Sequence, residues 1–129
     1  MKNRVIYENA LRALSQRASD FGNEDFEERA PYIIASFCNE AGEIDSLLRA
    51  SLGRPAIELY EGVWLSLDED FPLLDRFASV AVQYLAAMLV IDEDSELSDR
   101  LYELYCDGIS RIRASLPASL EAISERYFS

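Results

Sequence analysis

The sequence predicts an all-α fold, a small bundle of four main helices around a central apolar helix. Residues 77–91 (FASVAVQYLAAMLVI) contain no charged side chain and are flanked by Asp75–Arg76 and by Asp92–Glu93–Asp94. A helix that is apolar on nearly all sides must be enclosed by other elements. The segments on either side repeat apolar residues at helical spacing, and we expect them to enclose it. The length of 129 residues predicts one domain, 1–129.

Two helices are predicted before the central one. We expect the first to begin with Asn3 as its N-cap and to end near Ala18. The acidic residues 23–28 are expected to form a short turn, and Pro31 is expected in the first turn of the second helix. Gly53 is typical of a helix C-terminus and predicts where the second helix ends.

Residues 54–70 are the irregular part, and two interpretations stay open. The apolar residues alternate at period two around Glu61–Gly62, which indicates a small hairpin; alternatively, residues 55–61 form one helical turn that Gly62 ends. Trp64, the only tryptophan, is expected to cover one end of the core. A connection of this length is uncommon in a compact domain unless it folds back or contributes to an interface.

The acidic residues 68–70 and Pro72 predict the start of the central helix, because acids and proline are favoured at helix N-termini. A fourth helix is predicted from the acidic turn at 92–95 to about Arg113, and a short tail helix from Pro117 to about Arg126. In the fourth helix we expect these residues to face the core: Leu97, Leu101, Leu104, Tyr105, Gly108, Ile109 and Ile112.

Net charge, the length of the apolar run and the N-terminal sequence each limit the expected function and location. The net charge is −12, which repels phosphate backbones, so we expect no sequence-specific binding of nucleic acid. The apolar run is shorter than the roughly 20 residues that a membrane span requires, so we expect no membrane insertion. No signal-peptide pattern follows Met1, and we expect a cytoplasmic location.

Histidine is absent, which removes the usual general base, the Ser-His and Cys-His nucleophile pairs and the commonest nitrogen ligand for zinc. We therefore predict no catalytic residue and no cofactor. Cys38 and Cys106 lack CxxC spacing and are expected to be buried free thiols.

The segment Asn39-Glu40-Ala41-Gly42-Glu43 resembles part of the EExxE motif of the MazG-like all-α nucleotide pyrophosphatases. That resemblance implies magnesium ligands Glu40 and Glu43, completed by a later ExxD, here Glu96 and Asp99. Asn39 replaces the first Glu of the motif, and the gap to Glu96 is far longer than in the family. At about 100° per residue these carboxylates diverge, so the metal site is kept as an alternative only.

The segment Leu67-Asp68-Glu69-Asp70-Phe71-Pro72-Leu73-Leu74 leads into Tyr84–Leu89 and then into an acidic turn before Leu97–Tyr105. This pattern resembles the small head–tail connector (adaptor) proteins of tailed phages and prophages. The resemblance implies a non-enzymatic structural protein of the bacterial host cytoplasm or the virion, with portal-like and tail or adaptor proteins as partners and a homo-oligomeric ring on assembly. A generic helical protein-interaction module is a further alternative.

Aromatic and arginine side chains are enriched at interfaces. In the irregular segment and near the C-terminus they identify the expected partner contacts: Arg54, Tyr60, Trp64, Arg113, Arg126, Tyr127 and Phe128.

Overall fold

The computed structural model describes residues 1–14 and 23–116. Within these ranges the chain forms four α-helices and no β-strand, which confirms the predicted all-α class. The helices are α1 (Asn3–Ala13), α2 (Asn23–Ser51), α3 (Ala78–Leu89) and α4 (Ser95–Ala114), and a 3₁₀ turn, Asp75–Phe77, precedes α3. The predicted tail helix, from Pro117 to about Arg126, and the expected contact residues Tyr127 and Phe128 after it lie outside the described residues.

α3 is the central helix, as predicted. It contacts α1, α2 and α4, whereas α1 and α2 touch each other little. Phe77, Leu85 and Leu89 are completely buried, and the small residues Ala86 and Ala87 let neighbouring helices approach closely. The buried apolar side chains of the described elements form one cluster around this helix.

The start of α1 corrects one prediction, because Asn3 is not its N-cap. Lys2 occupies that position, and no side chain caps the helix. Asn3 is completely buried; its side-chain Nδ2 donates to the carbonyl of Ser66 at 2.9 Å, and its backbone N–H donates to the carbonyl of Glu69. A contact distant in sequence thus replaces the local cap. α1 ends at Ala13, earlier than predicted, and Ala18 lies outside the described residues.

α2 begins at Asn23, so the predicted turn at residues 23–28 is wrong and Pro31 lies inside the helix. Proline inside a helix removes one hydrogen bond and crowds the preceding turn. Phe26 and Ala30 are buried at the spacing of the later core residues, and this burial favours continuing the helix through Pro31. The C-terminus agrees with prediction: Gly53 has φ 68°, and the Arg54 N–H donates to the carbonyl of Arg49.

Residues 54–70 form neither the hairpin nor the helical turn. Their one ladder contact is an isolated antiparallel bridge between Lys2 and Asp70. The N–H of Arg4 donates to the carbonyl of Leu67, and the N–H of Phe71 donates to that of Met1. Some backbone hydrogen-bonding groups of the segment are therefore paired with backbone groups at the start of α1. The acidic residues 68–70 contact α1 and do not begin α3, which corrects that prediction.

An aromatic cluster joins α2, α3, α4 and the residues before α3. The Phe37 ring lies 6.3 Å from that of Phe71, 5.8 Å from Tyr84 and 6.1 Å from Tyr105, measured between ring centroids. Tyr84 and Tyr105 meet edge to face at 5.0 Å. These contacts fix the position of α4, whose N-cap Asp94 accepts a hydrogen bond from the N–H of Leu97.

Two predictions of burial on α4 are wrong. Leu104 is 46% exposed, and Cys106 is exposed, whereas Cys38 is buried as predicted. The buried apolar residues of α4 are Leu101, Tyr105 and Ile112, so the residues just before and after Tyr105 point away from the core. No helix among the described residues is long and apolar enough to span a membrane.

Candidate functional site

The irregular segment that follows α2 is anchored to that helix by hydrogen bonds. The Asn39 side chain donates to the carbonyl of Gly62 at 2.9 Å, and the Leu65 N–H donates to the carbonyl of Pro31 at 3.1 Å. The Tyr60 hydroxyl donates to the carbonyl of Trp64 and closes a local loop. The chain is thus held on both sides of residues 62–64.

Three apolar side chains of this anchored segment point to solvent. Leu59 is 46% exposed, Val63 75% and Trp64 48%. Trp64 therefore does not cover the core as predicted; Leu65 and Leu67, both buried, take that role. We call Leu59, Val63 and Trp64 the Trp64 surface.

The anchor points place these side chains on one side of α2. A Cβ at Gly42 would lie 3.2 Å from the Leu59 side chain, and Asn39, one turn earlier, holds Gly62. A Cβ at Gly62 would collide with the hydroxyl end of the Tyr60 ring, so a side chain at this position would displace Tyr60 from its present place. The conformation of the segment thus depends on specific side chains.

The rim of the Trp64 surface is acidic. Glu58 and Glu61 are exposed within the segment, and Glu43 is exposed on the same face of α2 as Asn39 and Gly42. An apolar centre with a negatively charged rim is complementary to a partner that presents an apolar pocket beside basic side chains.

Among the described residues, three other expected contacts, Tyr60, Arg54 and Arg113, do not add exposed side chains to this surface. Tyr60 is half-buried, and its hydroxyl is used in the hydrogen bond to the Trp64 carbonyl. Arg54 follows α2 and lines a separate cleft, and Arg113 is exposed in the last turn of α4.

The four carboxylates of the alternative metal site are not brought together. Glu40 accepts a hydrogen bond from the Tyr105 hydroxyl at 2.9 Å, and burial together with this bond raises the pKa of Tyr105 well above its ordinary value. Glu96 lies nine residues before Tyr105, on the opposite side of α4, and Asp99 is also turned away. Glu43, Glu96 and Asp99 are exposed, and no group of three metal-ligating side chains occurs in the described ranges.

A buried ion pair that the sequence analysis did not identify joins α2 to the residues before α3. Asp45 is completely buried; its Oδ2 accepts from Arg49 Nε at 2.8 Å and its Oδ1 accepts from the Leu74 N–H at 2.8 Å. Arg49 also donates to the carbonyl of Pro72. The sequence does indicate this pair. Asp45 lies next to Ile44 and one turn before Leu48 and Arg49, on the apolar side of α2, at a spacing that lets it meet Arg49.

A second apolar surface lies on another side of the bundle. It is a groove of about 550 Å³ between α1, α3 and α4, whose most exposed apolar side chains are Met1, Val5 and Leu104.

Comparison of the chain with models of protein families, with curated proteins and with solved structures found no match. The resemblances to connector proteins and to nucleotide pyrophosphatases therefore stay predictions, and the functional argument depends on the surfaces described above.

Proposed function

We propose that this protein is a non-enzymatic structural protein that assembles through the Trp64 surface, as a head–tail connector between portal and tail proteins. The observation that carries the proposal is the exposure of Leu59, Val63 and Trp64 on a segment whose backbone is anchored to α2. Single exposed apolar residues are ordinary on protein surfaces. Three within six positions on a fixed, non-helical segment are typical of a protein contact, and tryptophan is enriched among residues that dominate binding energy.

The charge of the chain supports the connector assignment. With a net charge of −12, a channel wall formed by this protein repels the phosphates of DNA, so that DNA slides past without adhering. In a ring of identical subunits each contact is heterologous, so one patch of a subunit meets a different patch of its neighbour. In this proposal the protein is made in the bacterial cytoplasm and becomes part of the virion.

Co-purification with the portal protein encoded in the same gene cluster tests the proposal. We expect the intact chain to bind, and Val63→Ser together with Trp64→Ala to lose at least ten-fold in affinity, since removal of a central aromatic at an interface has effects of this size. The control is Leu104→Ser, which also removes an exposed apolar side chain but lies in the groove between α1, α3 and α4. Both variants should keep the helical circular-dichroism spectrum of the parent.

A truncation after Pro117 tests whether Arg126, Tyr127 and Phe128 contribute to the contact. Undiminished binding by both the truncated chain and the Trp64 surface variant would exclude the proposed contacts. No portal binding by the intact chain, or the absence of a portal gene beside it, would contradict the connector assignment.

Enzyme activity is tested separately with magnesium and a panel of nucleoside triphosphates. We expect no pyrophosphate release, because Glu40 is bonded to Tyr105 and the other carboxylates diverge. Turnover that disappears in Glu40→Gln and Glu43→Gln would overturn the proposal and favour the pyrophosphatase alternative.

A further inference from the structure

A cleft of about 470 Å³ lies where α2 ends, beside residues 71–76. Its apolar lining includes Leu48, Phe71 and Leu73, which are buried, and Leu52, which is 56% exposed at the mouth. A ligand that enters from solvent would therefore meet the apolar side chain of Leu52 first, with Leu48, Phe71 and Leu73 largely covered behind it.

Arginine side chains surround the same cleft. Arg49, Arg54 and Arg76 all line it, and the one carboxylate in the lining is Asp75. Arg49 is fixed by the buried Asp45. Arg54 and Arg76 are exposed, and neither forms an ion pair with another residue of the described ranges.

The charges of the cleft favour an anion of low charge. Arg49 is paired with Asp45, and the rest of the lining carries two arginines, Arg54 and Arg76, against one carboxylate, Asp75, with which neither is paired. The cleft therefore has a small positive net charge in a chain whose net charge is −12. A polyanion such as nucleic acid is repelled by the rest of the molecule, whereas one carboxylate beside an apolar group experiences mainly the local field. Guanidinium groups pair with carboxylates through two parallel hydrogen bonds, which adds geometric selectivity.

We propose that this cleft binds a carboxylate side chain within an apolar segment of the partner protein. The carboxylate pairs with Arg54 and Arg76, and an apolar neighbour packs on the exposed side chain of Leu52 at the mouth of the cleft. This inference rests on the proposed assembly function, because it describes how the partner is recognised at a second place, and it assigns Arg54 a role separate from the Trp64 surface.

A short peptide tests the proposal on the whole chain. The probe is acetyl-Leu-Glu-Leu-Phe-amide, whose only charge is the glutamate, and its matched control carries glutamine instead. Titrations followed by ¹H–¹⁵N NMR should shift the Arg54 and Arg76 side-chain signals and the backbone signals of residues 71–76. We expect Arg54→Gln and Arg76→Gln each to weaken binding about three-fold and the double variant about ten-fold, as for exposed ion pairs. Arg100→Gln, an exposed arginine on α4, should leave affinity unchanged.

Several results would overturn the proposal: equal binding of the glutamine peptide, equal loss in Arg100→Gln, no shifts around the cleft, or displacement of the peptide by inorganic phosphate at lower concentration than by acetate. The outcome is separable from that of the assembly function. Portal binding that survives in the Arg54→Gln and Arg76→Gln double variant but is lost in the Trp64 surface variant would contradict only the cleft. Peptide binding without portal binding would contradict only the proposed assembly with the portal protein.

Discussion

Asp45 is the buried charge that connects α2 to the residues before α3. Its two carboxylate oxygens are used by Arg49 and by the Leu74 N–H, and its side chain is fully removed from water. A buried ion pair contributes little compared with an apolar pair of the same shape, but removal of one partner leaves the other charge uncompensated. This asymmetry makes the site sensitive to substitution.

We therefore expect Asp45→Asn to lower the free energy of unfolding by about 3 kcal/mol, because the largely buried Arg49 loses its counter-charge. Urea denaturation followed by circular dichroism measures the change. The control is Asp75→Asn, an exposed carboxylate nearby, which should change stability by less than about 0.5 kcal/mol. Equal effects of the two substitutions would contradict the assigned role of Asp45.

Cys38 makes stability depend on alkaline pH. Burial, together with the negative charge of Asp45, raises the pKa of its thiol to about 12. The folded chain keeps the proton while the unfolded chain loses it, so stability falls as pH rises above the ordinary thiol pKa. Between about pH 9 and pH 10 we expect a loss of about 1 kcal/mol. Cys38→Ala should reduce the loss by this amount and leave the smaller contribution of Tyr105, whose pKa is also raised on folding. An unchanged pH dependence in that variant would exclude Cys38 as a source.

At the scale of the elements, α4 approaches α3 closely at Gly108. A Cβ at this position would collide with Val80, a buried residue with a stiff branched side chain. A Cβ at Gly42 of α2 would meet only Leu59, which is half-exposed and can move aside. The same substitution is thus expected to have different effects in the two helices.

Gly108→Ala should destabilise the protein by about 1–2 kcal/mol, because the cost of overpacking exceeds the gain in helix propensity. Gly42→Ala should be neutral or stabilising by up to about 1 kcal/mol. Thermal unfolding of both variants measures the difference. Gly108→Ala should cost less stability in a Val80→Ala background than in the parent, because truncation of Val80 makes room for the added Cβ. Equal costs in the two backgrounds would contradict the contact.

Element boundaries show what the sequence could predict. The extent of α4 and the Gly53 end of α2 follow from local signals, acids at a helix start and glycine at a helix end. Asn3 and the start of α2 were wrongly predicted because distant contacts decide them: Asn3 binds the carbonyl of Ser66, and burial of Phe26 favours helix before Pro31. The path of residues 54–70 was not predictable from the alternation of its apolar residues, because the backbone groups that bind this segment lie in α1 and α2.

At the scale of the whole molecule, the central position of α3 is the feature that the sequence predicts best. A helix without charged side chains must be covered on nearly all sides, and in a helical bundle only a central helix is covered in this way. Leu85→Asp should cost several kcal/mol through an unpaired buried charge and prevent stable folding. Ser79→Asp, an exposed position on the same helix, should melt near the parent temperature. A Leu85→Asp chain that melts like the parent would contradict the assignment of α3 as the core helix.

The candidate interaction surface was only partly predictable. The sequence identified the segment and Trp64, since a long connection with a lone tryptophan is unusual. It did not show that Trp64 is half-exposed, because exposure depends on Leu65 and Leu67 filling the core in its place. The cleft at the end of α2 was not predicted, because Arg54 and Arg76, its two exposed arginines, are 22 positions apart in the sequence.

Hydrogen–deuterium exchange of the protein alone and in complex with the portal protein tests the central claim most directly. We expect binding to slow exchange in residues 54–66 and to leave the buried amides of α3 as protected as before, because the contact is made by the Trp64 surface on a preformed bundle. A complex in which protection appears only in the groove between α1, α3 and α4, with exchange in residues 54–66 unchanged, would contradict it.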